Sequence, residues 1–193
     1  MKEILVATHN KGKLAEYKSY LDPLGYEILS LEDMGIKEEA PEEGGSFLEI
    51  AENKASFYSK LTNKPIVADD SGLEVFALGS FPSTQTARWA VGSDSDKNLS
   101  LLNKMKGVKD RKAVFKTVIV YKNKKNVVRF EGQLQGEIDQ KSKGVMGFGF
   151  DPVFYVPKMK RTLGELLMFE KSQISPRAAA LQKLVSYLKK YKP

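Results

Sequence analysis

The chain has 193 residues, 41% of them hydrophobic and 28% charged, which is the make-up of a folded domain. It contains no cysteine and a single histidine, His9, so disulfide frameworks, thiolate zinc sites, cysteine nucleophiles and multi-histidine metal centres are excluded. Any metal chemistry has to use oxygen ligands, which suits Mg²⁺ or Mn²⁺.

The formal net charge is +7, with basic stretches at residues 104–129 and 156–193 and an acidic one at 32–52. Such a balance suits a small polyanion, a nucleic acid or a plain lysine-rich solvated surface. Lysine outnumbers arginine, which argues against base-specific nucleic-acid reading. No run approaches the roughly 18–20 apolar residues of a membrane span, so no membrane partner is expected. The first residues enter a strand-like segment at once, and the expectation is a cytoplasmic protein without a signal peptide.

In chain order, residues 3–7 read as a buried strand. Asn10, Lys11 and Gly12 break it, and residues 13–21 show helical spacing through Leu14, Tyr17 and Leu21, ended by Gly25. Residues 26–29 form a second strand, and 40–45 a loop with Pro41 and paired glycines. Residues 46–61 predict a helix, with Ser46 as N-cap and Glu49 completing a capping box. Phe47, Ile50, Ala51, Lys54 and Phe57 fall along one side of it. Residues 65–68 are a short strand running into Asp69, Asp70, Ser71 and Gly72, with 73–76 continuing extended and 79–86 a loop around Pro82. Residues 96–105 predict a helix, and 112–121 with 126–136 a long antiparallel hairpin turning at 122–125. After a glycine-rich loop at 144–149, residues 175–190 form a helix with Ala178, Leu181, Leu184, Val185 and Leu188 in one apolar stripe. The fold class expected is α/β: an elongated mixed β-sheet with flanking helices, in two lobes around a central cleft, with residues 1–193 as a single domain.

Four segments carry candidate chemistry. Thr8, His9, Asn10, Lys11, Gly12 and Lys13 lie where a strand ends and a helix begins, where free N–H groups and the helix dipole attract phosphate. The spacing is not that of a Walker loop, and a polar turn is the plain alternative. Asp69 and Asp70 are adjacent carboxylates that repel, so they need a cation or strong donors; Asp-Asp-Ser-Gly is also a good turn. Glu42 and Glu43 supply further carboxylates, and Glu42 with Asp70 suits one Mg²⁺. In Gly147, Phe148, Gly149, Phe150 and Asp151, alternating glycine lets an aromatic ring stack on a base, or marks a core strand with a bulge. Lys171 precedes the last helix, where Pro176 fits the first position, Ser175 the N-cap, and Arg177 the first turn; surface charge is the ordinary role for Lys171 and Arg177.

Taken in order, these segments resemble the inosine/xanthosine triphosphate pyrophosphatases over nearly the whole chain. The resemblance rests on Thr8-x-Asn10-x-x-Lys13, Gly45-Ser46-Phe47-x-Glu49, Ala68-Asp69-Asp70-Ser71-Gly72-Leu73, Ala87-Arg88, Gly147-Phe148-Gly149-Phe150-Asp151-Pro152 and Glu170-Lys171. It implies Mg²⁺-dependent hydrolysis of deaminated purine nucleoside triphosphates, ITP, dITP and XTP, to the monophosphate and pyrophosphate, in a homodimer. It implies that Thr8, His9, Asn10, Lys11, Gly12 and Lys13 hold the triphosphate. Asp70 is then the general base beside the metal, with Glu42, or its neighbour Glu43, as a further ligand. Ser71 touches the substrate, Phe148, Gly149, Phe150 and Asp151 cradle the purine, and Lys171, Pro176 and Arg177 complete the contacts. The chain departs from the pattern at three places. Ser175-Pro176-Arg177 replaces Ser-His-Arg, Glu49-Ile50-Ala51 replaces Glu-Asn-Ala, and Pro82-Ser83-Thr84-Gln85-Thr86-Ala87-Arg88 replaces Pro-Gly-x-x-Ser-Ala-Arg.

The chemistry is coherent on its own terms. Cleavage between the α- and β-phosphates needs activated water, a metal and fixed cations, and no covalent nucleophile. Two other functions compete with it: a related enzyme acting on another base, such as a modified pyrimidine, and a weakly catalytic nucleotide- or nucleic-acid-binding protein using its basic segments.

Overall fold

Alternation along the first strand sets up the layering. In the computed structural model, which describes residues 2–85, 89 and 91–191, β1 (Lys2–Val6) pairs in parallel with β2 (Tyr26–Leu29), from Lys2↔Tyr26 to Leu5↔Leu29. It also pairs in parallel with β3 (Ile66–Val75), at Leu5↔Ile66 and Val6↔Val67. Parallel neighbours require crossovers, and α1 (Lys11–Leu21) and α2 (Phe47–Tyr58) supply them. The remaining strands are β4 (Phe81–Pro82), β5 (Lys112–Lys122), β6 (Val127–Ile138), β7 (Phe154–Val156) and β8 (Arg161–Thr162). The sheet order is β2-β1-β3-β5-β6-β7-β8, with β4 paired antiparallel to β3. The β6–β7 and β7–β8 pairs are antiparallel, so the sheet is mixed, as expected. The turn between β5 and β6 closes with the Asn123 N–H donating to the Asn126 carbonyl at 3.0 Å. The other helices are α3 (Asp94–Lys104), α4 (Met168–Ile174) and α5 (Pro176–Tyr191). No helix among the described residues is long and apolar enough to cross a membrane.

The chain divides into two compact units. One comprises Met1–Asp70, Thr117–Gly132 and Arg177–Pro193. In it, Ile4, Val6, Val67, Ile119 and Tyr121 pack against Tyr17 and Leu21 of α1 and Leu181, Leu184 and Leu188 of α5. The alternate residues Leu5, Ala7, Ile66, Ala68, Val118 and Val120 pack against Phe47, Ala51 and Ala55 of α2. One strand face therefore meets α1 and α5, and the other meets α2. Each fully buried Leu or Ile on these faces contributes roughly 1.5–3 kcal/mol.

The other unit comprises Ser71–Lys116 and Gln133–Pro176. Its core joins Leu73 and Val75 of β3, Leu101 of α3, Ala113, Ile138, Phe150, Val153, Phe154 and Leu163.

Local capping explains most element ends. Gly25 takes the left-handed conformation, φ 78°, after a short 3₁₀ turn that follows α1. Ser46 caps α2 by accepting from the Glu49 N–H at 3.1 Å. The reciprocal bond expected of a capping box is displaced by one residue: the Glu49 carboxylate accepts from the Gly45 N–H at 2.9 Å. A full box forms instead at α3, between Ser93 and Asp96, so that helix starts earlier than its spacing predicts.

Three differences from the sequence-based expectation concern the site. β3 continues through Asp69, Asp70, Ser71 and Gly72, where a turn was the alternative. Helix α4 precedes α5, and the break between them falls at Ser175, extended at ψ 147°, because a residue before proline is pushed out of the helical region. Short strands β7 and β8 follow the glycine-rich loop.

Candidate functional site

Successive residues of a strand point to opposite faces, and this separates the two adjacent aspartates. Asp69 shares the face of Val67 and meets α1 and α5; Asp70 shares the face of Ala68 and meets α2. Each carboxylate has a cation in direct contact, Lys13 for Asp69 and Lys54 for Asp70, which offsets their mutual repulsion, although the Asp69 charge still acts to raise the Asp70 pKa.

Asp69 is buried and accepts from the Lys13 ammonium at 2.8 Å, with Arg177 Nε at 3.6 Å. Burial by itself raises its pKa, but the charges of Lys13 and Arg177 overturn that and hold the carboxyl well below the usual carboxylate range. Arg177 donates to Glu16 at 2.7 Å and is 6% exposed. It is therefore no surface charge: it sits between two acids, and those charges outweigh its burial and raise its pKa. The buried Tyr17 hydroxyl completes this group. Desolvation first, and then the Asp69 charge, push its pKa up and keep it protonated.

Asp70 accepts from Lys54 of α2 at 3.3 Å, and the same ammonium meets Glu42 at 2.7 Å. Burial pushes the Asp70 carboxyl up, and Lys54 and Lys13 oppose this without cancelling it. Burial also works against the Lys54 ammonium, but Asp70 and Glu42 outweigh it and raise its pKa. Of the two loop acids, Glu42 is the one turned to this cluster. Glu43 is exposed, and its backbone carbonyl accepts from the Asn53 side chain at 2.9 Å. Among the described residues no group of three or more acidic or histidine side chains converges as a metal cage.

The strand–helix turn lies beside these acids through Lys13. Thr8 Oγ1 accepts from the Asn10 N–H at 3.1 Å, and Asn10 Oδ1 accepts from the Lys13 N–H at 3.0 Å, capping α1. The first turn of α1 carries no acidic residue, so the positive end of its dipole is not offset there. His9, Asn10 and Lys11 are exposed, with Thr8 and Gly12 half-buried. Ser71 follows Asp70 on β3 and is half-buried.

The aromatic segment belongs to the second unit. Asp151 accepts from the Phe148 N–H at 2.8 Å and from the Lys171 ammonium at 2.6 Å, with both side chains of the ion pair largely buried. The Lys171 ammonium also lies 4.5 Å from the centre of the Phe148 ring, a cation–π contact. Gly147, φ 80°, is required: a Cβ there would stand 2.0 Å from Asp151 Oδ2. Phe150 corrects the expectation that either ring could stack on a base. It is 3% exposed and faces Trp89 at 6.4 Å in the core, which leaves Phe148 as the half-buried ring. Pro176 is buried at the first position of α5.

Sequence reasoning placed Lys54 in an apolar stripe and passed over it as a site residue; a lysine among buried positions was the available signal. Glu16 and Tyr17 carried none. At the departures from the family pattern, Ile50 is a core residue, 1% exposed, and Ser83 holds a left-handed φ of 49°. Ala87 and Arg88 lie outside the described residues.

The sequence profile of the Ham1 family matches residues 4–187. The chain is 41% identical over 192 residues to a protein of Thermoanaerobacter pseudethanolicus named dITP/XTP pyrophosphatase, covering 97% of each. It is 39% identical over 194 residues to a Bacillus subtilis protein of the same name, covering 97% and 98%. Among solved structures, the Staphylococcus aureus Ham1 protein superposes with TM-score 0.90 at 37% identity, covering 98% of this chain and 99% of that one. A Ham1 protein of Coxiella burnetii gives TM-score 0.91 at 34% identity, covering 98% and 100%.

Proposed function

The chain belongs to the Ham1 family, and on that premise we propose that it hydrolyses deaminated purine nucleoside triphosphates, ITP, dITP and XTP, to the monophosphate and pyrophosphate. The observation that carries this reading is the opposed pair on β3. Asp69 is locked to Lys13 and Arg177, while Asp70, one residue on, is paired with Lys54 and kept more basic than an ordinary carboxylate.

The residues then divide by role. The α1 N-terminus and Lys13 draw the triphosphate through N–H groups and charge, with Thr8 and Asn10 fixing the turn and His9, Lys11 and Gly12 lining it. Asp69 orients Lys13. Asp70 takes the proton of the attacking water. Lys54 holds Asp70 and Glu42 together and offsets negative charge as the phosphoanhydride breaks. Phe148 offers a ring face to the purine, steadied by Lys171 and Asp151, and Ser71, Gly149, Pro176 and Arg177 are assigned further contacts to the substrate.

The hard oxygens of Asp70 and Glu42, converging on one cation, fit Mg²⁺, which is held by one or two carboxylates together with water and phosphate oxygens. When bound, the metal would neutralise phosphate charge and lower the pKa of water. The reading extends to residues 1–193 acting as one catalytic domain, in the cytoplasm, as a homodimer.

The test is pyrophosphate release from ITP, dITP, XTP, ATP and GTP, with Mg²⁺ and with a chelator. Metal-dependent turnover of the deaminated substrates in preference to ATP and GTP is expected. Turnover of ATP equal to that of ITP, or activity indifferent to the chelator, overturns it.

A further inference from the structure

Phe148 is carried on an arc with little rigidity of its own. The residues on either side, Gly147 and Gly149, both have left-handed φ values, 80° and 63°. Glycine loses more conformational freedom on ordering than any other residue, so the ring's position depends on what tethers the arc from outside. On the Gly147 side the tether is Asp151, through the Phe148 N–H. On the other side it is helix α3. Asp94 Oδ2 accepts from the Gly149 N–H at 2.6 Å, and Asn98 Nδ2 donates to the Gly149 carbonyl at 3.0 Å. Asp94 and Asn98 stand one helical turn apart and share a face of α3, so one rigid element grips both polar groups of one peptide residue.

The grip is built into its surroundings. The Ser93–Asp96 capping box fixes the start of α3 immediately beside Asp94. Asn98 is 4% exposed, and its Oδ1 is buried with no hydrogen-bond partner. Leaving a buried acceptor unsatisfied is costly, so the bond from Nδ2 to Gly149 is what orients this amide. A Cβ on Gly149 would meet nothing within 4 Å, so glycine serves there for its φ and not for space.

We propose that Asp94 and Asn98 are positioning residues for purine recognition: they clamp Gly149 and thereby set the attitude of the Phe148 ring. The proposal rests on the functional reading above and adds to it the residues that govern affinity for the base without touching it.

The experiment measures binding by calorimetry in a chelator, with ITP and inorganic tripolyphosphate as probes, alongside kcat and KM for ITP. D94A and N98A should each weaken ITP about tenfold, the scale of one hydrogen bond lost, and leave tripolyphosphate unchanged. KM should rise while kcat holds. D94N keeps an acceptor for the Gly149 N–H and should restore parental affinity; N98D replaces the donor by an acceptor and should not restore it. Asp94 is exposed, so D94A carries the test even if N98A does not fold. The clamp is overturned if both alanine variants bind ITP like the parent, if they lose tripolyphosphate equally, or if D94N is as weak as D94A. A parent chain that binds tripolyphosphate but releases no pyrophosphate from ITP overturns the functional reading, and the clamp's role with it.

Discussion

Substituting Asp69→Asn tests whether the carboxylate that faces α1 and α5 is the counter-ion of the whole cationic group. The side chain keeps its shape and loses its charge. Lys13, 2.8 Å away, and Arg177, 3.6 Å away, are then left facing a neutral amide, though Arg177 retains Glu16 at 2.7 Å. Breaking a buried ion pair from one side costs about 3–5 kcal/mol. Lys13 is 16% exposed and regains some hydration, which favours the lower end, about 3 kcal/mol. In a chain of this length each kcal/mol moves the midpoint roughly 2–4 °C, so a drop of about 6–12 °C is expected. The assay is thermal melting by circular dichroism across a pH series. Because the folded-state pKa of Asp69 is depressed, its contribution is present above the unfolded value near about 3.9 and is lost only as pH falls through the lower folded value. The gap between parent and variant should therefore hold from about pH 8 to about pH 5 and close only below about pH 4. A gap under about 2 °C at neutral pH, or one already closed at about pH 6, refutes the counter-ion argument.

Asp70→Asn should lower pyrophosphate release from ITP by roughly 10²–10⁴-fold, and turnover at the parental rate removes Asp70 as the base. Since burial raises the Asp70 pKa and Lys54 leads the opposition, Lys54→Met should move the acid limb of kcat/KM to higher pH; a limb that stays put or moves down contradicts this. Ser83→Gly relieves a left-handed φ of 49° that costs a non-glycine residue roughly 1–2 kcal/mol, against roughly 0.5–1 kcal/mol of added chain freedom. A calorimetric midpoint raised by a degree or two is expected, and a lowered one counts against the strain. Pro176→His adds a ring N–H at the start of α5 and should sharpen the ITP-to-ATP ratio of kcat/KM by about tenfold, on the scale of one hydrogen bond; an unmoved ratio assigns base choice elsewhere.

How far the sequence could be read depended on whether a residue's partners were near it in the chain. The helices 11–21, 47–58 and 176–191 were legible because their apolar spacing and their caps are local. Asp-Asp-Ser-Gly looked equally like a turn; extending β3 through it is decided by pairing with other strands, which local propensity does not contain. Arg177 was beyond reach for the same reason: its partner Glu16 lies 161 positions away. Helix α4 hid because its N-cap Leu167 and the first-turn residues Met168 and Phe169 are 61%, 69% and 72% exposed, the reverse of an amphipathic pattern. Lys54 was visible as an anomaly in the α2 stripe, and it is the cation that Asp70 and Glu42 share.

The opposed aspartates tie the site's electrostatics to the packing of the sheet. Which carboxylate meets Lys13 and which meets Lys54 is fixed by the register of β3 against β1, Leu5↔Ile66 and Val6↔Val67. A slip of one residue would send Asp69 to the α2 face and Asp70 to the α1 face, exchanging the depressed pKa for the raised one. The same slip would drive Ile66 and Ala68 out of contact with α2 and Val67 out of contact with α1 and α5. Those side chains are at most 1% exposed, so the misregistered strand forfeits several kcal/mol of burial before any charge is considered. The apolar residues that precede the acids therefore select their chemistry: burial of Ile66, Val67 and Ala68 holds the register that assigns Asp69 to Lys13 and Asp70 to Lys54.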